Sequence, residues 1–187
     1  MRKFIEFLLL GIMLIVFASL YLKYDKASYY NGKGCMFCNE KLPYSLEPKF
    51  YTDYPQRFYL LDADGFELVG VGFRFENTDF TIKGFSAFGY NDTSIMVKCL
   101  DSLKSIKYLV SYKTGYKSKK GTEDLSFKSI TVNDYEQSKD NYNWVELNEE
   151  KANETEKYKW VFMLGSILSF ILLILKLVRL KKSRATV

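Results

Sequence analysis

Two long apolar runs, one near each end of the chain, constrain the fold more than any other feature of the sequence. Residues 4–22 and residues 160–178 are each long enough to cross a bilayer as a single helix. The segment between them, residues 23–159, is then held on one side of the membrane. We therefore expect an α+β membrane protein in which two transmembrane helices flank one β-rich extracytoplasmic domain.

The distribution of charge predicts the orientation of this arrangement. The 187-residue chain carries a net charge of +5, but its central segment holds 20 Lys and Arg against 21 Asp and Glu. The excess lies in short basic segments outside the two apolar runs, namely Arg2, Lys3, Arg179, Lys181, Lys182 and Arg184. Lys and Arg beside membrane spans stay on the cytoplasmic side. Both termini are therefore predicted to be cytoplasmic, in a bacterial inner (plasma) membrane, and the near-neutral domain does not suggest a nucleic-acid partner.

The first apolar run has a second interpretation as a cleaved signal peptide. It follows a short basic start and contains the small residues Ala18 and Ser19, as such peptides do. The run continues through Leu22, however, and no small-x-small cleavage site precedes the domain. We favour an uncleaved anchor and leave cleavage open.

The central segment divides by composition into three parts. Residues 23–56 contain Pro43, Pro48 and Pro55 and are predicted to be an irregular membrane-proximal strap. Residues 57–147 alternate apolar and polar positions between Asp-, Asn- and Gly-containing turns, which predicts one mostly antiparallel sheet or a small sandwich. Residues 148–159 are predicted to form a helix leading into the second span.

Three segments of the β-rich part need separate comment. The sequence Asp62-Ala63-Asp64-Gly65 predicts a hairpin turn, and its likeness to a calcium loop stops there because no later acidic ligand follows in register. Residues 95–100 fit a strand, with a helical stripe as the alternative. Residues 133–143 are polar and are predicted to be a loop.

Cys35 and Cys38 form the only motif with evident chemistry. Their C-x-x-C spacing allows a disulfide, either structural or redox-active. A thioredoxin-like redox site would need a hydrophobic strand directly before the first cysteine, and residues 28–34 read as a loop. A structural disulfide in an oxidising compartment is therefore favoured. Cys99, the third cysteine, is predicted to be a small buried residue of a strand.

Residue usage argues against several classes of enzyme. The chain has no histidine, so neither a Ser-His-Asp nor a Cys-His arrangement can be built. Tetrahedral zinc usually takes four Cys or His ligands, which three cysteines do not supply. A hydrolase with paired carboxylates stays open, although no spacing singles out two acids. We expect no metal, no cofactor and no catalytic residues.

The apolar runs carry two further expectations. Glu6 and Lys176 lie at matching depths if the helices are antiparallel, which raises the hypothesis of an ion pair between them; the favoured alternative is that each side chain reaches the headgroups separately. Gly165 and Ser169 form a small-xxx-small face, suited to close packing against Gly11 and Ala18 or against a second copy of the chain.

These features favour a non-catalytic, membrane-tethered binding or assembly module. Its expected partners are the lipid bilayer and another membrane or envelope protein, with homo-oligomers as a further option. An envelope accessory protein and an immunity or exclusion protein are specific versions of this role. The alternative is a thiol-disulfide redox protein acting through Cys35 and Cys38.

Overall fold

A computed structural model describes residues 2–38, 42–51, 57–75, 78–117 and 123–185. Helix α1 (Arg2–Tyr30) and helix α3 (Glu149–Ala185) pack against each other in antiparallel orientation. By length and composition, both are apolar enough to cross a membrane. Two antiparallel sheets lie between them in the sequence. The chain is thus α+β, with its long apolar helices at the two ends.

The first sheet contains three strands in the order β1-β2-β3, which are Glu47–Tyr51, Arg57–Leu61 and Glu67–Gly70. The predicted hairpin joins β2 to β3: Asp62 Oδ1 accepts hydrogen bonds from the amides of Asp64 and Phe66, both at 2.8 Å. Gly65 supplies the positive φ of 89° that the turn requires. β3 ends at Gly70, earlier than the apolar alternation suggests, and Gly72 then redirects the chain with a φ of 97°.

The second sheet has five strands in the order β7-β6-β5-β4-β8. In chain order these are β4 (Gly84–Tyr90), β5 (Ile95–Leu100), β6 (Ile106–Lys117), β7 (Glu123–Ile130) and β8 (Asn143–Glu146). The strand predicted at residues 95–100 is confirmed as β5, and Ile95, Val97 and Cys99 are fully buried. β8 returns to pair with β4, which brings the chain back beside the core before α3 begins.

The two sheets and the end of α1 share one core. Phe58 of β2 packs on Phe88 of β4, with ring centroids 5.7 Å apart. Tyr29 and Tyr30, in the last turn of α1, lie in the same core, and Tyr30 stacks on Tyr90 at 5.2 Å. The first helix therefore enters the β-rich part rather than merely leading to it.

A short helix covers the other face of the second sheet. Residues predicted to be a loop contain α2 (Val132–Ser138), because Thr131 and Asp134 form a capping box that satisfies the free amides at its start. Tyr135 of α2 stacks on Tyr108 of β6 at 3.9 Å. Even a seven-residue helix is thus held by a cap and by the contacts of the Tyr135 ring with Tyr108 and Trp144.

In its described parts, the predicted irregular strap at residues 23–56 contains more regular secondary structure than its prolines suggest. α1 continues to Tyr30, because neither Gly nor Pro occurs between Lys23 and Tyr30. Pro48 lies within β1, where an edge strand tolerates the missing amide donor. Pro55 lies outside the described residues. β1 therefore extends the β-rich part toward the N-terminus, and residues 31–46 alone connect it to the helix.

Candidate functional site

Asp25 is a buried acid on α1 at the point where the helix meets the β-rich part. Its side chain is 1% exposed. The amide of Phe37 donates to its Oδ2 at 2.8 Å, and the amide of Met36 donates to both oxygens at 3.0 and 3.1 Å. Lys159 of α3 places its ammonium 3.6 Å from Oδ1. The buried carboxylate thus has both hydrogen-bond donors and a countercharge, which a buried charge needs.

The turn after α1 brings residues 35–38 back to this acid. Gly32 and Gly34 have φ values of 75° and 77°, a region that favours glycine. At Gly32 a side chain would also collide with the backbone of Phe50, whose amide donates to the Gly32 carbonyl at 3.0 Å. The Gly34 carbonyl accepts a hydrogen bond from Lys159 at 3.2 Å. The same lysine therefore holds both Asp25 and the turn.

Cys35 and Cys38 are joined in a disulfide, with their Cα atoms 5.8 Å apart. The sulfur of Cys35 lies 3.3 Å from Oδ2 of Asp25, and the sulfur of Cys38 lies 3.8 Å from the Asp25 carbonyl oxygen. These are close contacts rather than hydrogen bonds, because sulfurs bonded to each other carry no proton. Only after reduction would the Cys35 thiol have a proton to donate to Asp25.

The two residues inside the disulfide ring form an exposed apolar tip. Met36 and Phe37 are each 62% exposed, although their amides are held by Asp25. The Phe37 ring meets the ring of Tyr21 edge to face, with centroids 6.0 Å apart. The tip, defined as Met36 and Phe37, therefore projects beside α1 at the end of its apolar run.

A small cleft of 190 Å³ reaches the disulfide from the β-rich side. It is lined by Tyr29, Cys35, Cys38, Ser45, Leu46 and Glu47. Tyr44 and Ser45, at its margin, have positive φ values of 59° and 58°, which is strained for residues other than glycine. The Tyr29 hydroxyl donates to the Leu46 carbonyl at 3.0 Å and fixes the cleft wall to α1.

Within the described part of the chain, Asp25, Cys35 and Cys38 form a group whose spacing could hold a metal ion. Their potential ligand atoms lie within 4.8 Å of one another. Thiolate ligands would require reduction of the disulfide, and the Lys159 ammonium already neutralises Asp25. A cation would have to displace that lysine. The arrangement therefore fits a closed structural or redox disulfide better than a metal centre.

The residues predicted within the apolar runs lie between the two helices. Lys176 donates a hydrogen bond to Glu6. Gly165 packs against the ring of Phe17, which a built Cβ would approach to 3.1 Å, and Ser169 is 3% exposed. The neighbour of Gly165 is thus Phe17 and not Gly11, whose own Cβ position is open.

Reasoning from the sequence missed Asp25 and Lys159, the two groups that organise the site. Their positions beside the two apolar runs could have indicated these residues. Asp25 follows the first apolar run by three residues, and Lys159 immediately precedes the second. Near the β-rich end of the two helices they are the counterparts of Glu6 and Lys176, for which matching depth had raised the hypothesis of a pair.

Comparison of the chain with models of protein families, with curated proteins and with solved structures gives no match.

Proposed function

We propose that this chain is a non-catalytic, membrane-tethered binding or assembly module that presents its Met36–Phe37 tip to a membrane-embedded partner protein. α1 and α3 cross the membrane as an antiparallel hairpin, and the β-rich part is extracytoplasmic. Support for the crossing comes from the length and apolar character of both helices. Support for the sidedness comes from the Lys and Arg residues outside the two runs.

The rigid junction between helices and sheets favours a positioning role. Tyr29 and Tyr30 anchor the end of α1 in the sheet core, and the Asp25–Lys159 pair ties α1 to α3 just before that core. A domain on a flexible tether would sample many heights and orientations. Here the tip is held at a fixed place relative to the helix hairpin, which suits contact with a neighbour in the same membrane.

The single observation that carries the proposal is the exposure of an apolar tip, Met36 and Phe37, whose backbone amides both donate hydrogen bonds to Asp25. A disulfide closing so short a ring contributes only about 2 kcal/mol in the chain-entropy description, less than one closing a long loop. Its main local effect, together with Asp25, is to hold Met36 and Phe37 outward in one conformation. Preorganised apolar anchors of this kind lower the ordering cost of binding.

Site-specific photocrosslinking in intact membranes tests the proposal. A benzophenone amino acid at position 37 should give a discrete protein adduct, while the same probe at Leu103, which is 83% exposed in the β5–β6 turn, should not. The adduct is identified, and the purified partner and full chain are then mixed in detergent. Binding should fall at least about tenfold in Phe37→Ser, the effect of losing a 1.4 kcal/mol anchor, while Leu103→Ser leaves it unchanged.

The outcomes separate the alternatives. A membrane or envelope protein, or a second copy of the chain, at position 37 supports an assembly role. Lipid adducts without any protein adduct would overturn it and make the tip a membrane anchor. Equal adducts at positions 37 and 103 would also contradict it, because contact would then not depend on the tip. A thermal melt of Phe37→Ser establishes that lost binding does not reflect unfolding.

Thiol-disulfide exchange is a second candidate, favoured specifically by the cleft that reaches Cys35 and Cys38. In this reaction a partner thiolate attacks the Cys38 sulfur, and the Cys35 thiolate leaves and takes up a proton. A second partner thiolate then releases Cys38, so that the partner dithiol is oxidised and the pair is reduced. The Asp25 carboxylate beside Cys35 opposes formation of that thiolate, which weighs against the role.

Thiol trapping distinguishes this candidate from the main proposal. Protein is taken from intact membranes into an alkylating reagent and mapped with and without reductant. A pair that is wholly bonded and resists mild reductant supports a structural disulfide. A mixture of thiols, disulfide and mixed disulfide with another protein would favour exchange instead.

A further inference from the structure

A second cavity lies between α1 and α3 at the end of the hairpin opposite the β-rich part. Its volume is 580 Å³, within the usual range for sites that hold small molecules. Among the residues that the structure describes, four leucines and three charged residues line it, namely Leu10, Leu172, Leu175, Leu180, Glu6, Lys176 and Arg179. The cavity is therefore amphipathic, with apolar walls and charged groups in one lining.

The charges of the described lining residues do not balance. Glu6 accepts a hydrogen bond from Lys176, so one cation and the single acid compensate each other. Arg179 lies one turn beyond Lys176 on α3 and adds a further positive charge to the same lining. An incoming anion would meet the planar guanidinium of Arg179, which is well shaped to bind a phosphate through two hydrogen bonds.

We propose that this cavity binds one anionic phospholipid. Its phosphate would lie against Arg179, near Lys176, and an acyl chain would lie along Leu10, Leu172 and Leu175. The leucines favour a lipid over free phosphate, because a soluble anion would leave their surface exposed. The uncompensated Arg179 favours an anionic over a zwitterionic headgroup, whose ammonium would be repelled.

The location of the cavity agrees with this occupant. It lies at the end of the hairpin whose adjoining sequence carries Lys181, Lys182 and Arg184, and basic residues beside a span attract anionic lipids. The leucines Leu172 and Leu175 precede Lys176 on α3, so the apolar wall lies on the bilayer side of the charges. The charged and apolar parts of the lining therefore follow the same order as the headgroup and the acyl chain of a bilayer lipid.

Native mass spectrometry of the full chain in detergent provides the test. Phosphatidylglycerol and phosphatidylcholine with identical acyl chains are titrated separately. The first phosphatidylglycerol should bind with an affinity about tenfold higher than the first phosphatidylcholine, because the positive charge of Arg179 repels the ammonium that only phosphatidylcholine carries. Arg179→Gln should remove most of this preference. Lys157→Gln, which removes one positive charge from the other end of the same helix, should preserve it.

One further variant and one competition measurement complete the test. Leu172→Trp fills the cavity without changing its charge and should weaken binding of the first lipid even if Arg179→Gln folds poorly. Inorganic phosphate should neither raise the melting temperature nor compete with the lipid at millimolar concentration. Equal affinities for the two lipids, an unchanged preference in Arg179→Gln, or full stabilisation by phosphate alone would each overturn the proposal.

Discussion

Lys159 on α3 holds its ammonium 3.6 Å from Oδ1 of Asp25 on α1, and solvent barely reaches either side chain. Glu6 and Lys176 form the corresponding contact near the other end of the same helices. Asp25 follows Glu6 by 19 positions and Lys176 follows Lys159 by 17 positions, which correspond to about 28 and 26 Å along a helix axis. A bilayer core is about 30 Å thick. The length of apolar helix between the two ion pairs therefore matches the thickness of a bilayer core.

Replacing Asp25 by Asn should destabilise the protein strongly. The change leaves the Lys159 ammonium largely buried without a countercharge, which typically costs about 3 to 5 kcal/mol. Lys159→Met should cost less, because the amides of Met36 and Phe37 still satisfy the Asp25 carboxylate. The measurement is the free energy of unfolding in detergent micelles. Asp140→Asn, at an exposed acid, serves as the control, and a loss no larger than that of the control would refute the role assigned to Asp25.

Glu6 and Lys176 should behave as a coupled pair. Glu6→Gln and Lys176→Gln are each expected to lower stability by about 0.5 to 1.5 kcal/mol, the range for polar contacts between membrane helices. The double variant should lose little more than either single variant, because the contact is already broken. Unfolding in lipid nanodiscs measures all three. Fully additive losses would mean that each side chain acts independently, as expected if both only reach the headgroups.

Glycine-to-alanine changes in the two long helices should have opposite effects. At Gly165 the added methyl would come within 3.1 Å of the Phe17 ring, which is itself packed near Phe162, so the helices must separate slightly. At Gly11 the new methyl would meet open space, and helix propensity alone favours alanine by up to about 1 kcal/mol. Melting temperatures should therefore fall for Gly165→Ala and stay level or rise for Gly11→Ala. The same sign at both positions would argue against close packing at Gly165.

Sequence periodicity was sufficient for features that depend on local spacing. Apolar runs define the helices, and alternation with an Asp-Gly turn defines the β2–β3 hairpin. Matching depth raised the hypothesis that Glu6 pairs with Lys176, but it did not decide between that pair and two side chains that reach the headgroups separately. Local spacing could not predict the Asp25 site. The amides that donate to this acid lie in a turn, and they reach it only because the chain folds back through Gly32 and Gly34. Periodicity also cannot show that Gly165 meets Phe17 rather than Gly11, since the rotation of one helix against another depends on side-chain packing.

Cys99 should be almost unreactive while the protein is folded. Burial raises the pKa of its thiol from 9.0 to about 12, with a smaller contribution from Asp101 that Lys107 partly offsets. Alkylation requires the thiolate. At pH 8 iodoacetamide should therefore modify Cys99 rapidly only in denaturant, and mass spectrometry reports the difference. Rapid modification of the native protein would contradict the burial of this thiol.

The same thiol should make stability depend on alkaline pH. The unfolded thiol loses its proton near pH 9 and the folded one near pH 12, so between these values the unfolded chain binds fewer protons. Stability is then complete below pH 9 and falls as the pH rises toward 12. Cys99→Ala removes this contribution and keeps every other titrating group. The free energy of unfolding should decline more steeply with pH in the parent than in Cys99→Ala between pH 9 and 10.5. Parallel slopes would show that the thiol titrates alike in both states.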